Sequence, residues 1–358
     1  MKISSIEQIP VDIPYKDRVS DHLQKGWGYA NRATDEEFQE KESEYRREWE
    51  ESSPPAVKTN IYHVHTDEGL TGIAEGADVS EEKVQDCIGR NPFEFILDDS
   101  VGPLQMALYD LMGQSAGLPM AQLLGPAKDT VPLACWSQCF PPEVLQQEAR
   151  LALAEGYTIH KFKRRAHTDV LEQASAVAEV VPEHYEITID ANCTFGTKER
   201  AIETGRKLKQ FPQVKCLESP IDQEDVEGYL AIKKDLDYPL AIHYGSPSPV
   251  KALHSEAYDY FVLGGRAGEV MRQAHFAEVG GMPFWLQMGF TGLSAIFMIH
   301  LAAAIPNATL GHVSLFRLLE HSLLREPIKV HEGQASVPDL PGIGVELDMD
   351  AVENYRVG

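Results

Sequence analysis

The sequence predicts an α/β chain whose larger part is a (β/α) barrel, and three observations lead there. Four successive apolar runs each end in a polar cluster: Lys161-Phe162-Lys163, Asp190-Ala191-Asn192, Glu218-Ser219-Pro220 and His243-Tyr244. The steps from Lys163 to Asp190, Glu218 and His243 are 27, 28 and 25 residues, room for one strand, one helix and two loops each time. From Val131 onward, β-type runs alternate with amphipathic helical ones, the pattern of parallel strands joined by helical crossovers. In such a barrel the C-terminal strand ends converge on one mouth, so residues far apart in the chain share a site.

At 358 residues the chain suffices for one large and one small domain. Residues 1–14 and 57–76 read as strands around a loop and an insert. Val57 to Val64 is rich in β-formers, and Thr66-Asp67-Glu68-Gly69 supplies a turn before Leu70-Thr71-Gly72-Ile73. In the insert, residues 33–52, Thr34 and Glu37 make a capping box and Phe38, Tyr45 and Trp49 fall near one helical face; Ser52-Ser53-Pro54-Pro55 stops it. Two expectations stand for it, a solvated helix with one aromatic stripe or a lid over the barrel mouth. Residues 80–125 read as helical, with Pro103 to Leu111 the clearest amphipathic stretch.

Barrel strands are expected near 132–138, 157–163, 186–190, 214–218, 239–243, 258–263, 283–287 and 308–311, with helices in the gaps, for example 143–155, 197–210 and 268–280. The tail, 325–358, reads as short strands and turns packed back on the N-terminal domain. The expected division is 1–125, 126–324 and 325–358.

Composition excludes several functions. The 43% apolar and 24% charged residues are those of an ordinary soluble enzyme. With 32 basic and 55 acidic residues the net charge is −23, too acidic for a partner that is nucleic acid or an anionic membrane. The five cysteines, Cys87, Cys135, Cys139, Cys193 and Cys216, are odd in number and lack paired metal-ligand spacing, so free thiols of a reducing cytoplasm are expected. Met1-Lys2-Ile3 opens a strand rather than a signal peptide, and no run is long enough to span a bilayer.

Several short segments, weak singly, are strong in their order and spacing. They are His65 to Gly72, Ala107-Leu108-Tyr109-Asp110-Leu111, Gly117-Leu118-Pro119 with Leu123-Leu124-Gly125, Lys161-x-Lys163, Asp190-Ala191-Asn192, Glu218-Ser219-Pro220 and Val337 to Val345. Over almost the whole chain they resemble the enolase superfamily, in its mandelate racemase/muconate lactonizing enzyme branch. The resemblance implies a (β/α)7β modified TIM barrel with an α+β capping domain built from the N-terminus and the C-terminal tail. It also implies an isomerase or lyase that acts on a small-molecule carboxylate and forms a homo-oligomer.

The chemistry of such a family explains the residue types. A proton α to a carboxylate is very weakly acidic, so its removal needs the enediolate stabilised as it forms; a divalent cation held by carboxylates supplies that charge. A lysine base must be neutral near pH 7, so its pKa has to fall from ~10.4. A second lysine two residues away, on the same face of a strand, lowers it by like-charge repulsion. By resemblance Lys163 is the base, Lys161 orients the substrate carboxylate and tunes its neighbour, Asp190 and Glu218 are the first two metal ligands, and Asn192 hydrogen-bonds behind them.

Departures begin on the fifth strand, where relatives supply a third carboxylate and this chain reads His243-Tyr244-Gly245-Ser246. Either His243 ligates a metal, which suits Mn²⁺, Fe²⁺ or Zn²⁺ better than Mg²⁺, or it is protonated between the carboxylates and replaces the cation in a metal-free site. On the sixth strand Gly264 stands where relatives carry an opposite-face lysine, and Phe290 stands near where a glutamate is frequent. Without a second base, one-base reactions remain: loss of water from a hydroxy acid, or a cycloisomerisation. Arg266 is a candidate for the substrate carboxylate, Tyr244 for acid–base work, and Trp27 falls, with Arg18, His22 and Tyr29, where relatives place a substrate-specificity loop. The alternative reading is a catalytically degenerate member that binds a small acid.

Overall fold

A computed structural model describes residues 1–23, 33–51, 56–125 and 127–358, with only the backbone described at Trp49. Strands β1 (Ile3–Pro14), β2 (Ala56–Thr66) and β3 (Thr71–Gly76) form an antiparallel sheet in chain order, with Ile9 opposite Ile61. Alternation along β1 buries Ile9, Val11 and Ile13, as a strand with one apolar face must. Between β1 and β2 lie α1 (Asp17–Ser20) and α2 (Asp35–Glu51), the latter broken at Lys41. The expected capping box is present: Thr34 N donates to Glu37 Oε2 and Glu37 N to Thr34 Oγ1.

Beyond β3 the stretch expected to be helical is interrupted. It contains α3 (Glu81–Cys87), short 3₁₀ turns at Pro92–Phe95 and Asp99–Val101, α4 (Leu104–Ala116) and α5 (Met120–Leu124). Rather than amphipathic, α4 is buried without a break from Leu104 to Gly113, because it is covered on two sides. On one side Gly72 lets β3 approach: a Cβ there would lie 2.3 Å from Ala107 O. On the other side Gly113 lies against Gly342 of the tail. Asp110 joins all three layers, its Oδ2 accepting from Ile73 N and its Oδ1 from Ile343 N, each at 2.9 Å.

The barrel follows as β4 (Thr130–Ser137), α6 (Pro142–Ala154), β5 (Ile159–Lys163), α7 (Val170–Ala178), β6 (Glu186–Asp190), α8 (Lys198–Leu208), β7 (Val214–Glu218), α9 (Val226–Asp235), β8 (Leu240–His243), α10 (Pro249–Ser255), β9 (Tyr260–Leu263), α11 (Ala267–Val279), β10 (Phe284–Leu286), α12 (Gly292–Ala304) and β11 (His312–Val313). Neighbours β4 through β10 pair in parallel, β11 pairs in parallel with β4, and a Gln287–Val313 bridge joins the last two. This is the barrel that the strand rhythm predicted, in the (β/α)7β form that the resemblance implied.

The eighth strand begins later than the expected 308–311. Ala308 N is held in a turn by Ile305 O, and only beyond Gly311, which packs against Ile159 and Ala134, does the chain enter the ring. The tail also differs from expectation. It first makes a hairpin, β12 (Val330–His331) and β13 (Gln334–Ser336), with β13 antiparallel to barrel strand β4. Only then does it reach the N-terminal sheet through α13 (Met349–Asn354), after which Val357 N donates to Pro10 O. Among the described residues no helix is long and apolar enough to cross a membrane.

Removing the Asp110 carboxylate leaves two buried backbone N–H groups without an acceptor, at ~1–3 kcal/mol each. Asp110→Ala is expected to lower unfolding stability by about 2–4 kcal/mol, read as a lower urea midpoint at unchanged slope.

Candidate active site

Strand register brings the charged residues together. Lys163 pairs with Asp190 and Asp190 with Glu218, so the three occupy one rung at the C-terminal ends of β5, β6 and β7. Alternation turns Lys161 and Lys163 inward, and Phe162 outward onto His160. Glu218 pairs onward with Ala241, which sets His243 one inward step nearer the mouth.

Lys161, Lys163, Asp190 and Glu218 are all buried, the two carboxylates completely. Lys163 Nζ donates to Asp190 Oδ2 at 2.7 Å and to Asn192 Oδ1 at 3.0 Å. Lys161 Nζ donates to Gln287 Oε1 at 2.6 Å and lies 2.5 Å from Glu218 Oε2 and 3.5 Å from Asp190 Oδ2. Neither Glu218 oxygen has an aligned donor, so its pairing is one of charge rather than of hydrogen bonds. His243 Nε2 lies 3.2 Å from Glu218 Oε1, with 42% of its side chain exposed.

Two aromatic walls flank the lysines. The Trp136 ring centre is 5.7 Å from both ammonium nitrogens, and the Trp285 ring is 5.6 Å from Lys161 Nζ. Burial, together with the like charges of Lys161 and Arg165, pulls Lys163 below the ordinary lysine range against the opposing pull of Asp190 and Glu218. Burial alone would raise the Asp190 carboxyl, but Lys163, Lys161 and Arg165 outweigh it and hold it well below the usual carboxylate range.

Other expected residues lie elsewhere. Tyr244 turns outward, its ring edge-on to Phe261 and Phe276 at 5.3 and 6.0 Å in the layer between strands and helices, which puts it outside the site. Arg266 is exposed at the start of α11, and its guanidinium lies near Gly102 of the N-terminal region. Trp27 and Tyr29 lie outside the described residues. Arg18 pairs with buried Glu148 of α6 at 2.5 Å. His300 is a packed histidine whose Nδ1 accepts from Ala121 N.

Two residues of the site went unnoticed in sequence. Gln287 has inward parity with Trp285, and Arg165 extends the alternation of Lys161 and Lys163, though it reads as a solvated loop arginine. It is fully buried. At Gly264 the structure gives a steric reason for the missing lysine: an added Cβ would lie 2.9 Å from Gln287 O.

At the rim, α2 docks by its first turn. Asp35 pairs with Arg164, which follows Lys163 at the end of β5, and lies 3.2 Å from Arg200 Nη1. Arg164 Nη1 in turn donates to Thr194 Oγ1 at 2.9 Å beyond β6. Phe38 stacks on Tyr45 and tilts against His167.

The resemblance implies a divalent cation at Asp190, Glu218 and His243, and the residues present do not fit one. Among the described residues no three His, Cys, Asp or Glu side chains converge as a cation cage. Three of the four carboxylate oxygens already face a donor or a cation, Asp190 Oδ1 the Asn192 N–H, Asp190 Oδ2 both lysines and Glu218 Oε2 Lys161, and His243 Nε2 stands beside the fourth, Glu218 Oε1.

A model of the enolase C-terminal domain-like family matches residues 144–351. The chain belongs to that family. Arabinonate dehydratase of Saccharolobus solfataricus is 27% identical to it over 269 residues, covering 72% of each chain. N-succinylamino acid racemase of Thermus thermophilus is 29% identical over 269 residues, covering 71% of this chain and 70% of that one. In fold it is similar to dipeptide epimerase of Enterococcus faecalis, solved with Mg and a dipeptide. That structure has a TM-score of 0.75 at 20% identity, covering 97% of this chain and 100% of that one.

Loss of the Asp35 carboxylate would leave Arg164, which is largely buried, without its ion pair. Asp35→Ala is expected to raise amide hydrogen exchange across residues 35–51 about tenfold, with the barrel strands unchanged. Equal exchange in both proteins would mean that α2 is anchored elsewhere.

Proposed function

We propose that the chain is a lyase or isomerase of the enolase superfamily that removes the proton α to the carboxylate of a small acid, with Lys163 as the single base. Loss of water from a hydroxy acid is the reaction class favoured, with cycloisomerisation the other one-base possibility. The dehydratase and the racemase it resembles both support chemistry at such a carbon.

The observation that carries this reading is how Lys163 is held. Its Nζ donates to Asp190 Oδ2 and Asn192 Oδ1. A neutral amine has two N–H bonds; with both donated, the lone pair takes a remaining tetrahedral direction and is kept for the substrate. Burial and like charge favour that neutral form. Lys161 supplies positive charge beside it, for the substrate carboxylate and the negative charge that grows on it as the proton leaves. Trp136 and Trp285 are both buried beside the lysines, where little water enters to weaken these interactions.

A second reading, that of a protein binding a small acid without turning it over, draws support from the opposite face. There Gly264 and Gln287 offer no titratable group, and a racemisation needing two bases cannot be drawn.

Lys163→Ala is expected to reduce α-proton exchange with deuterated solvent by at least ~10³-fold while substrate still binds. Retained exchange would reject Lys163 as base; binding with no exchange by the unaltered protein would favour the second reading. For the active protein, kcat/KM should rise with pH and level off below the ordinary lysine pKa, because only the deprotonated form accepts the proton and its pKa is lowered.

A further inference from the structure

Resting on the reading of Lys163 as base, the further question is what replaces the cation that the residues here do not fit. The arrangement implied by the resemblance has three carboxylates around a divalent cation, a unit with one net negative charge. Here two carboxylates remain, and one buried guanidinium beside them leaves the same net charge. That guanidinium is Arg165.

Its placement is fixed by the fold. Strand alternation carries the inward parity of Lys161 and Lys163 on to Arg165, just past the end of β5. The side chain is 0% exposed and is the largest fully buried one described. Its loop is held by Arg165 N donating to Thr168 Oγ1 at 3.2 Å, and its Nη1 donates to Arg164 O at 2.8 Å. A fully buried guanidinium persists only where its charge is balanced; beside the Cys139 thiol, Asp190 and Glu218 are the carboxylates whose charges reach it. A divalent cation added to Lys161, Arg165 and two carboxylates would give this water-poor site a net charge of plus two, or plus three with Lys163 protonated. Burial makes such an excess costly.

We propose that Arg165, together with the Lys161 ammonium, takes the place of the divalent cation in this chain, so that proton abstraction by Lys163 runs without metal. The proton passes from the substrate α-carbon to Lys163 Nζ. The electron pair left behind moves onto the substrate carboxylate, giving an enediolate whose charge faces Lys161 and the Arg165 guanidinium. No oxidant, reductant or metal enters the balance.

The test uses the whole protein with two probes. First, protein equilibrated in turn with Mg²⁺, Mn²⁺ and Zn²⁺ and then desalted is assayed for bound metal. Second, binding of oxalate, a planar dianion shaped like an enediolate, is measured by calorimetry on protein stripped of metal. The expected result is no retained ion and oxalate binding by the stripped protein. Arg165→Met should weaken that binding ~10- to 100-fold, and Arg165→Lys, which keeps the charge, should restore most of it. A purely structural role for Arg165 would not be rescued by charge alone.

About one ion retained per chain, and lost in Asp190→Ala, would overturn the proposal. So would stripped protein that fails to bind oxalate. Both readouts are independent of turnover. If Lys163 is not the base, α-proton exchange fails while they stand; if the metal-free site is wrong, they fail while exchange follows the added ion.

Discussion

Two carboxylates buried on adjacent strands at one end of a barrel are the constraint on which the site depends. Asp190 and Glu218 share a rung, and neighbouring strands lie about 4.8 Å apart. Like charges at that spacing and out of water repel strongly, and each alone would cost several kcal/mol to bury. The chain resolves this from a single strand. Lys161, Lys163 and Arg165 follow one another at inward positions on and just beyond β5, so one alternating run sets the whole positive charge of the site. Asp190 touches both lysines through a single oxygen, and its depressed pKa records the balance. Burial and the like charges of the same cluster lower Lys163, so one arrangement keeps an acid ionised and favours the neutral form of a lysine.

The rest of the molecule holds that cluster in place. Gln287, just beyond β10, accepts a hydrogen bond from Lys161. A few residues on, Thr291 caps α12, and its N–H and hydroxyl, with the Ser294 hydroxyl, are donated to Glu75 of the N-terminal sheet. Burial raises the Glu75 carboxyl, but those donors at a helix N-terminus stabilise its ionised form. An unbroken line of contacts thus runs from the N-terminal sheet to the lysine that faces the carboxylates. A second line starts on α2, where Asp35 meets Arg164 one residue beyond Lys163. The N-terminal region therefore touches the segments that follow β5 and β10, which is how a small domain can brace a cluster it does not itself contain.

Much of the fold was legible because a (β/α) unit has a length. The spacing of polar strand ends and the alternation along each run located seven barrel strands to within about two residues. The eighth failed because Gly311 and the turn at Ala308 delay pairing, and a backbone turn leaves little mark on an apolar run. The α4 stretch read as amphipathic, since periodicity cannot reveal that a second layer, arriving from residues 342–343, will cover its polar side. In the site, the residue types at strand ends brought Lys161, Lys163, Asp190 and Glu218 to notice. Parity would also have flagged Arg165 and Gln287, but a charged residue in a loop reads as solvated until its burial is known. Tyr244 was misplaced for the converse reason: next to His243 in sequence, it takes the opposite face of the strand.

A single base constrains the stereochemistry of the proposed reaction. Once Lys163 has taken the α-proton it is an ammonium, with Asp190 and Asn192 still accepting two of its N–H groups. The third N–H, newly formed, points where the α-carbon was. The simplest acid for a departing hydroxyl is therefore the same group, which requires proton and leaving group on one face of the substrate. The opposite face agrees: a side chain at Gly264 would meet the Gln287 carbonyl, and Gln287 is held by Lys161. That wall can contact a substrate but cannot exchange protons with it. Elimination or ring closure on one face follows from the geometry, whereas inversion at the α-carbon would need a proton donor where the backbone leaves no room for one.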